Sequence, residues 1–178
     1  MSLKKWFKVS SEVVIKNNHW MYNRDVIIRD DGVKGEYHYV HTEGSTMVIP
    51  VSENGDLVLT NQFRYLNNKE SIEFPCGGVE PGLTHKENAI KELREETGFN
   101  AENLYFIGEF SPYTGASDEM TSVFIAEGLF PSPLEPDATE EIELLYFSPQ
   151  EFDKMIDDGI VWDGLSISAW TKVRKRFL

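Results

Sequence analysis

The alternation of hydrophobic and polar positions divides the chain into short extended runs and longer helical ones. Runs of β-branched and aromatic residues bounded by turn residues are typical of strands. They predict strands at 12–15, 25–28, 36–41, 46–51, 57–60, 104–107, 123–126 and 144–147. Helical signals predict helices at 85–97, 149–159 and 165–178. This order, with strands on both sides of a central helix, indicates an α+β fold.

The central helix has clear start and stop signals. Thr84 followed three residues later by Glu87 forms a capping-box pattern, in which each side chain satisfies a backbone N–H of the other residue. Gly98 supplies the stop, because glycine adopts the left-handed conformation without penalty. Between these signals an apolar stripe is spaced to face the core, and it comprises Ala89, Ile90 and Leu93.

The same helix carries three carboxylates on one flank, at Glu92, Glu95 and Glu96. Side chains three or four residues apart on a helix are neighbours, so these like charges repel one another. Oxygen ligands without a His or Cys cluster favour a hard cation, Mg²⁺ or Mn²⁺. The glycine-rich loop before the helix is able to bring backbone close to a ligand or to aim a carbonyl at the metal, and the carbonyl of Cys76 is a further expected ligand.

Gly77, position 83 and residues 91–99 (KELREETGF) resemble the Nudix box, the signature of hydrolases that cleave nucleoside diphosphates linked to another group. Two positions depart from the usual pattern. Leu83 stands where the family usually has Glu, and Lys91 stands where it usually has Arg. The brace that these residues form between loop and helix is therefore expected to be missing or rebuilt, while the metal-binding acids are all present.

The resemblance is to the ADP-ribose pyrophosphatase-like branch and covers nearly the whole chain. It implies an α+β fold, an α/β/α sandwich with a mixed sheet, preceded by an N-terminal antiparallel strand segment. It also implies metal-dependent hydrolysis of ADP-ribose or a similar nucleotide sugar, giving a nucleoside monophosphate and a sugar phosphate. A GDP-mannose-type hydrolase and a catalytically silent nucleotide-binding domain are the alternatives.

The resemblance also places a further metal ligand at Glu140, in an acidic loop before the last predicted strand. It puts Ala138 where the base that activates water would stand, so the base is left open. The catalytic acids are expected among Glu95, Glu140 and Glu141, with Glu143 as a further candidate. The alternative for this loop is a solvated acidic turn.

Substrate contacts are expected from three separate regions, and each has a structural alternative. Arg64 suits a phosphate or, equally, a structural ion pair. The loop at 111–119 resembles a pocket-lining loop of the branch, or it is a plain turn. Aromatic residues in the N-terminal segment stack on a nucleobase or fill a subunit contact. The expected substrate-binding residues are Arg64, Glu73, Ser117, Glu119, Trp20 and Tyr22.

The N-terminal strands carry little apolar mass of their own and are expected to pack on something else. In the ADP-ribose pyrophosphatase branch the equivalent strands pack on a partner subunit. The prediction is therefore a dimerisation segment at residues 1–45, a Nudix hydrolase domain at 46–178, and a homodimer.

Composition restricts the partners and the location. The net charge of −13 argues against binding to nucleic acid or an anionic membrane. The single cysteine, the lack of a signal-peptide pattern and the lack of a long apolar run favour a reducing cytoplasm. Cys76 is a poor candidate for a nucleophile because no His is near it in sequence.

Overall fold

The computed structural model describes residues 3–136, 139 and 141–178, which separate into two compact units. Residues 45–112 and 120–178 form one unit, and residues up to 44 join 113–119 in the other. The strands are β1 (Trp6–Lys16), β2 (Met21–Arg29), β3 (Lys34–His41), β4 (Ser45–Pro50), β5 (Leu57–Arg64), β6 (Lys69–Glu73), β7 (Cys76–Gly78), β8 (Phe99–Phe110), β9 (Thr121–Pro131) and β10 (Ile142–Phe147). The helices are α1 (His85–Thr97), α2 (Pro149–Asp157) and α3 (Gly164–Val173).

A mixed four-stranded sheet in the order β7-β4-β9-β8 lies at the centre of the larger unit. Strands β4 and β9 run parallel, and the outer pairs are antiparallel. Both central strands are apolar on both faces, as expected for a sheet covered on two sides. Met47 and Ile49 pack into one core, whereas Val48 between them packs into the other.

The two cores belong to different helical layers. Ala89 and Leu93 of α1 fill the smaller core, and α2 and α3 contribute Phe152 and Trp170 to the larger one. There Phe152 contacts Phe74 and Trp170 with ring centroids 4.8 and 5.3 Å apart. Helices on both faces of a mixed sheet confirm the predicted α/β/α sandwich.

A second sheet in this unit is antiparallel, in the order β10-β5-β6. Asn54 and Gly55 lie in the turn between β4 and β5, and Gly55 has φ 87°. An Asn-Gly pair between two strands is typical of a hairpin, but here the two strands enter different sheets, and an isolated bridge between Val51 and Leu57 joins the ends of the turn. The local sequence specifies the turn, but long-range pairing decides the partner of each strand.

The smaller unit contains an antiparallel sheet in the order β1-β2-β3, which is the predicted N-terminal strand segment. Residues 113–119 belong to this unit, and Ser117 forms a parallel bridge with Val40 of β3. All eleven residues of β1 are exposed.

The last helix is shorter than predicted. Helix α3 ends at Val173, and a 3₁₀ turn (Arg174–Arg176) follows it, so the basic C-terminal residues lie outside the α-helix. None of the helices in the described part of the chain is long and apolar enough to cross a membrane.

Candidate functional site

Helix α1 begins and ends where its sequence signals predict. The Glu87 N–H donates to Thr84 Oγ1 at 3.3 Å, and the Thr84 N–H donates to Glu87 Oε2 at 2.9 Å. At the other end Gly98 has φ 74°, and its N–H donates to the Arg94 carbonyl at 3.1 Å. Both ends of α1 are therefore fixed by local contacts.

One face of α1 is both polar and buried. Asn88, Glu92 and Glu96 follow one another at intervals of four residues and are all buried. Asn88 lies at the centre of a hydrogen-bond network: its Oδ1 accepts the Glu80 N–H at 3.1 Å, and its Nδ2 donates to Thr46 Oγ1 at 2.9 Å. The same amide donates to Glu92 Oε1 at 3.4 Å, so it also orients the first buried carboxylate.

The loop before α1 lies directly against the two buried carboxylates. A Cβ added to Gly77 would lie 2.3 Å from Glu92 Cδ, so only glycine fits with the carboxylate in place. The Cys76 N–H donates to Glu96 Oε2 at 3.4 Å. The backbone of residues 76–77 and the carboxylates of Glu92 and Glu96 therefore form one compact polar group.

Lys91 rebuilds the brace between loop and helix. Its Nζ lies 3.3 Å from Glu80 Oε1 in the loop and also contacts Glu95 Oε2 on the helix. Partial burial acts to lower the pKa of Lys91, but the hydrogen bond with Glu95 and the charge of Glu92 outweigh it and raise the pKa to about 12. Lys91 thus remains charged.

Cys76 lies in a negatively charged environment. Burial raises the pKa of its thiol well above the ordinary value, and the charges of Glu96, Asp163 and Glu73 raise it further. A protonated thiol is a weak nucleophile. Cys76 is therefore expected to contribute to the site through its backbone and not through its thiol.

The donors on this face suit a hard cation. They are the carboxylates of Glu92 and Glu96 and the adjacent backbone at Cys76, while Glu95 pairs with Lys91. Among the described residues no group of three or more His, Cys, Asp or Glu side chains converges as a metal site. Mg²⁺ commonly binds through one or two carboxylates and keeps several waters, so this donor set fits it. Glu140 and Ala138 lie outside the described residues.

Arg64 and Glu73 bind each other. Arg64 Nε donates to Glu73 Oε1 at 2.8 Å, and Arg64 Nη2 contacts Glu73 Oε2. The Glu73 side chain is 3% exposed and that of Arg64 is 42% exposed. The hydrogen bonds to Glu73 raise the pKa of Arg64 above its ordinary value. The structural ion pair expected as the alternative is thus present, and it is made through Nε and Nη2. A phosphate contact from Arg64 stays a prediction.

The loop at 113–119 is an ordered turn tied to β3. Ser117 Oγ accepts the Glu119 N–H at 2.9 Å, and the Tyr37 hydroxyl donates to the Gly115 carbonyl at 3.3 Å. His41 Nδ1 and Asp118 Oδ2 lie 2.7 Å apart. These contacts give the loop a defined shape, and substrate contacts from Ser117 and Glu119 stay predictions.

The two N-terminal aromatic residues have different surroundings. Trp20 closes the turn between β1 and β2, where its N–H donates to Asn17 Oδ1 at 2.9 Å, and the residue is 40% exposed. Tyr22 lies in β2 with its ring stacked on His38 and its hydroxyl 3.2 Å from His38 Nδ1. Stacking of either residue on a nucleobase stays a prediction.

Glu141 and Glu143 line an open pocket of about 290 Å³ against β5 and β6. Asn61 lies in this pocket, and its Nδ2 is 3.3 Å from both Glu143 Oε2 and Glu70 Oε2. The sequence reasoning did not select Asn61 or Glu70. The role of Glu141 as a base stays a prediction.

Two residues near the site also escaped the sequence reasoning. Asn88 precedes Glu92 by four residues, and that spacing was a signal that it shares the acidic face. Asp163 precedes the last helix as an N-cap and places a further charge near Cys76 and Arg64. Its capping pattern was visible in the sequence, but its neighbours depend on the tertiary fold.

Residues 41–165, more than half of the chain, match the family model described as NUDIX domain. The chain belongs to the Nudix family. An ADP-ribose pyrophosphatase of Bacillus subtilis is 30% identical to it over 84% of this chain and 81% of that protein. A GDP-mannose pyrophosphatase of Yersinia enterocolitica is 27% identical over 92% of this chain and 86% of that protein.

A solved structure with a similar fold is titled as a crystal structure of ADP compounds hydrolase. It has a TM-score of 0.85 and 23% identity, and it covers 99% of this chain and 96% of that chain. The likeness confirms the predicted Nudix fold with its N-terminal strands. Membership of the family also identifies α1 and the loop before it as the Nudix box, with Leu83 and Lys91 as its departures.

Proposed function

We propose that this Nudix protein is a pyrophosphatase that hydrolyses the diphosphate bond of a nucleoside diphosphate derivative. The observation that carries the proposal is the packing of Glu92 and Glu96 against the backbone of residues 76–77, on the helix that defines the family. Two buried carboxylates that lie close together need a positive charge nearby to compensate their own charges. The products are a nucleoside monophosphate and a sugar phosphate.

Nudix hydrolases generally use divalent metals, and Mg²⁺ or Mn²⁺ is the proposed ion here. A bound ion neutralises charge on phosphoryl oxygens and activates water. The proposed ligands are the acids of the α1 flank, one acid of the distal loop and one carbonyl. They are Glu92, Glu95, Glu96, Glu140 and the Cys76 carbonyl.

A carboxylate that accepts a proton from water completes the proposed reaction, and the candidates are Glu95, Glu140 and Glu141. Glu95 is half-buried and is held by Lys91, which positions it beside the two buried acids. Glu95 is therefore the candidate that the described contacts support best.

Substrate recognition is assigned to residues that present polar or aromatic groups outside the α1 face. Arg64 offers Nη1 to a phosphate while Glu73 fixes its guanidinium plane. Ser117 and Glu119 contribute polar groups from a shaped turn, and Trp20 and Tyr22 contribute aromatic rings to a nucleobase.

The proposed substrate is ADP-ribose or a similar nucleotide sugar. The similarity to an ADP-ribose pyrophosphatase over most of both chains supports it. A GDP-mannose-type hydrolase is the second candidate, because a relative with that printed activity is also similar over most of its length. A silent domain that binds nucleotide without cleaving it is the third, favoured by Leu83, Lys91 and Ala138.

A homodimer is also proposed, with residues 1–45 as the dimerisation segment. Strand β1 is exposed along its whole length and carries Trp6, Phe7, Val13 and Ile15. A long, exposed apolar edge strand tends to pair with other chains and to aggregate. A second copy of the protein that packs on β1 would bury this strand and prevent such aggregation. The segment 46–178 is the proposed catalytic domain.

The assay is incubation with Mg²⁺ or Mn²⁺ and a panel of ADP-ribose, GDP-mannose, UDP-sugars and dinucleotides, with products separated by chromatography. The proposal expects AMP and ribose 5-phosphate from ADP-ribose, only when the metal is present. Preferential cleavage of GDP-mannose would support the second candidate. Binding of ADP-ribose without any turnover across the panel would overturn the enzymatic proposal and leave the silent domain.

A further inference from the structure

The backbone of residues 73–76, which leads into the glycine-rich loop, is fixed by hydrogen bonds from several parts of the fold. Its carbonyl and N–H groups have partners on two strands and on α1. The pairs are Glu73 O with Thr60 Oγ1 at 3.2 Å, Pro75 O with Val48 N at 2.9 Å and Cys76 N with Glu96 Oε2 at 3.4 Å. The segment is therefore held in place by bonds to its backbone.

A further group in this segment, the N–H of Phe74, donates to Ser166 Oγ at 3.0 Å. Ser166 is 0% exposed and lies in the first turn of α3, far from the loop in sequence. Its own N–H donates to Asp163 Oδ2 at 2.7 Å, which is the N-cap bond of α3. Asp163 thus fixes Ser166, and Ser166 fixes the loop.

Small displacements of this loop would affect the carboxylates directly. Gly77 leaves no room between its backbone and Glu92, and the Cys76 N–H is bonded to Glu96. Phe74 is fully buried, so loss of its hydrogen-bond partner leaves an unsatisfied N–H that drives the segment to shift. A shift of Phe74 would also move Cys76 and Gly77, whose backbone contacts Glu96 and Glu92.

Asp163 adds charge as well as position. It raises the pKa of the Cys76 thiol after the larger contributions from burial and Glu96, and it contributes to the raised pKa of Arg64 after Glu73. These effects place Asp163 within electrostatic reach of both the loop and the Arg64 side chain. The Nudix match ends at residue 165, so Ser166 lies beyond the matched residues.

We propose that Ser166, fixed by Asp163, is a positioning residue that holds the loop at residues 74–77 in register with Glu92 and Glu96. The inference rests on the proposed function, because it assigns Ser166 a role in metal binding and hydrolysis. Ser166 does not touch the reacting atoms. Its effect passes through the Phe74 N–H and the loop backbone.

The test compares the full-length wild type with Ser166→Ala and with the control Ser168→Ala. Ser168 lies on the same helix, but its hydroxyl donates to the Gly164 carbonyl within α3. Three quantities are measured: exchange of the Phe74 amide proton in the metal-free protein by NMR, affinity for Mn²⁺ alone by EPR, and kcat for ADP-ribose. Ser166→Ala should accelerate Phe74 exchange, weaken Mn²⁺ binding about tenfold and lower kcat.

The control should match the wild type in all three quantities. Unchanged Mn²⁺ affinity in Ser166→Ala, or equal weakening in Ser168→Ala, would overturn the inference even if melting temperatures fall. Should Ser166→Ala fail to fold, Ser166→Cys keeps similar volume with a weaker acceptor and carries the same expectation. If the wild type binds Mn²⁺ but cleaves nothing, the proposed function fails, while the Mn²⁺ affinities still decide the role of Ser166.

Discussion

Gly77 lies so close to helix α1 that the Glu92 carboxylate occupies the space that a side chain would take. Nearby, Lys91 connects Glu80 of the loop with Glu95 of the helix, although Leu83 and Lys91 both depart from the usual Nudix pattern. A single residue type, glycine, therefore decides how closely loop and helix approach. The salt bridges of Lys91 with Glu80 and Glu95 provide the charge pairing between loop and helix.

Gly77→Ala should displace Glu92 and weaken binding of Mn²⁺ about tenfold, because the methyl group and the carboxylate cannot share one position. The displaced group is the end of a flexible side chain, so the melting temperature should change little. Isothermal titration with Mn²⁺ and a thermal melt measure the two effects. Gly164→Ala is the matched control, since its added methyl meets nothing within 4 Å.

Arg64→Met should lower the free energy of unfolding by about 2 kcal/mol, because it leaves the buried Glu73 carboxylate without its partner. Urea denaturation of the single variants and of Arg64→Met with Glu73→Gln measures the coupling. The double variant should lose less than the two single losses added together. Additive losses would show that the ion pair contributes no coupling.

At the scale of elements, the sequence predicted the parts that depend on neighbouring residues. The Thr84 and Glu87 capping box and the Gly98 stop were confirmed, as was the start of α2 at Pro149. The sequence did not predict β7 in the glycine-rich loop, because the backbone hydrogen bonds that define this strand are made with β4. For the same reason Ser166 was missed: its partner is 92 residues away in sequence.

The capping box of α1 makes stability depend on pH in a defined direction. Hydrogen bonds from Thr84 lower the pKa of Glu87, so the ionised form stabilises the folded state above the ordinary pKa and the benefit is lost as pH falls. Glu87→Gln should therefore lower the melting temperature more at about pH 7 than at about pH 3. Glu109→Gln, an exposed carboxylate outside any capping box, should show no such difference. An equal effect at both pH values would contradict this account.

At the scale of the whole molecule, the negative net charge requires bound positive charge, and the exposed apolar surface requires a packing partner. The net charge of −13 repels a diphosphate, so a bound cation and a few basic groups must reverse the field locally. The small unit exposes all of β1, an apolar strand that a second copy is proposed to cover. Both requirements were expected from the sequence, and the exposure of each strand locates the second one in β1.

Light scattering should give twice the 20.4 kDa mass of one chain. Val13→Lys, in the exposed strand β1, should shift the protein toward 20.4 kDa because a buried charge destabilises the contact. Tyr146→Lys changes an exposed aromatic residue of β10 and should leave the mass unchanged. A wild type of single-chain mass would remove the proposed role of residues 1–45.

The buried carboxylates of α1 are proposed to bind the metal that supports hydrolysis. A comparison of Glu96→Gln with the wild type and Glu109→Gln, by Mg²⁺-dependent release of AMP from ADP-ribose, tests this role. Glu96→Gln keeps the shape of the side chain and removes its charge, so it should fold, bind Mn²⁺ more weakly and release AMP at least about a hundredfold more slowly. Glu109→Gln should match the wild type. Equal rates in Glu96→Gln and the wild type would contradict the claim.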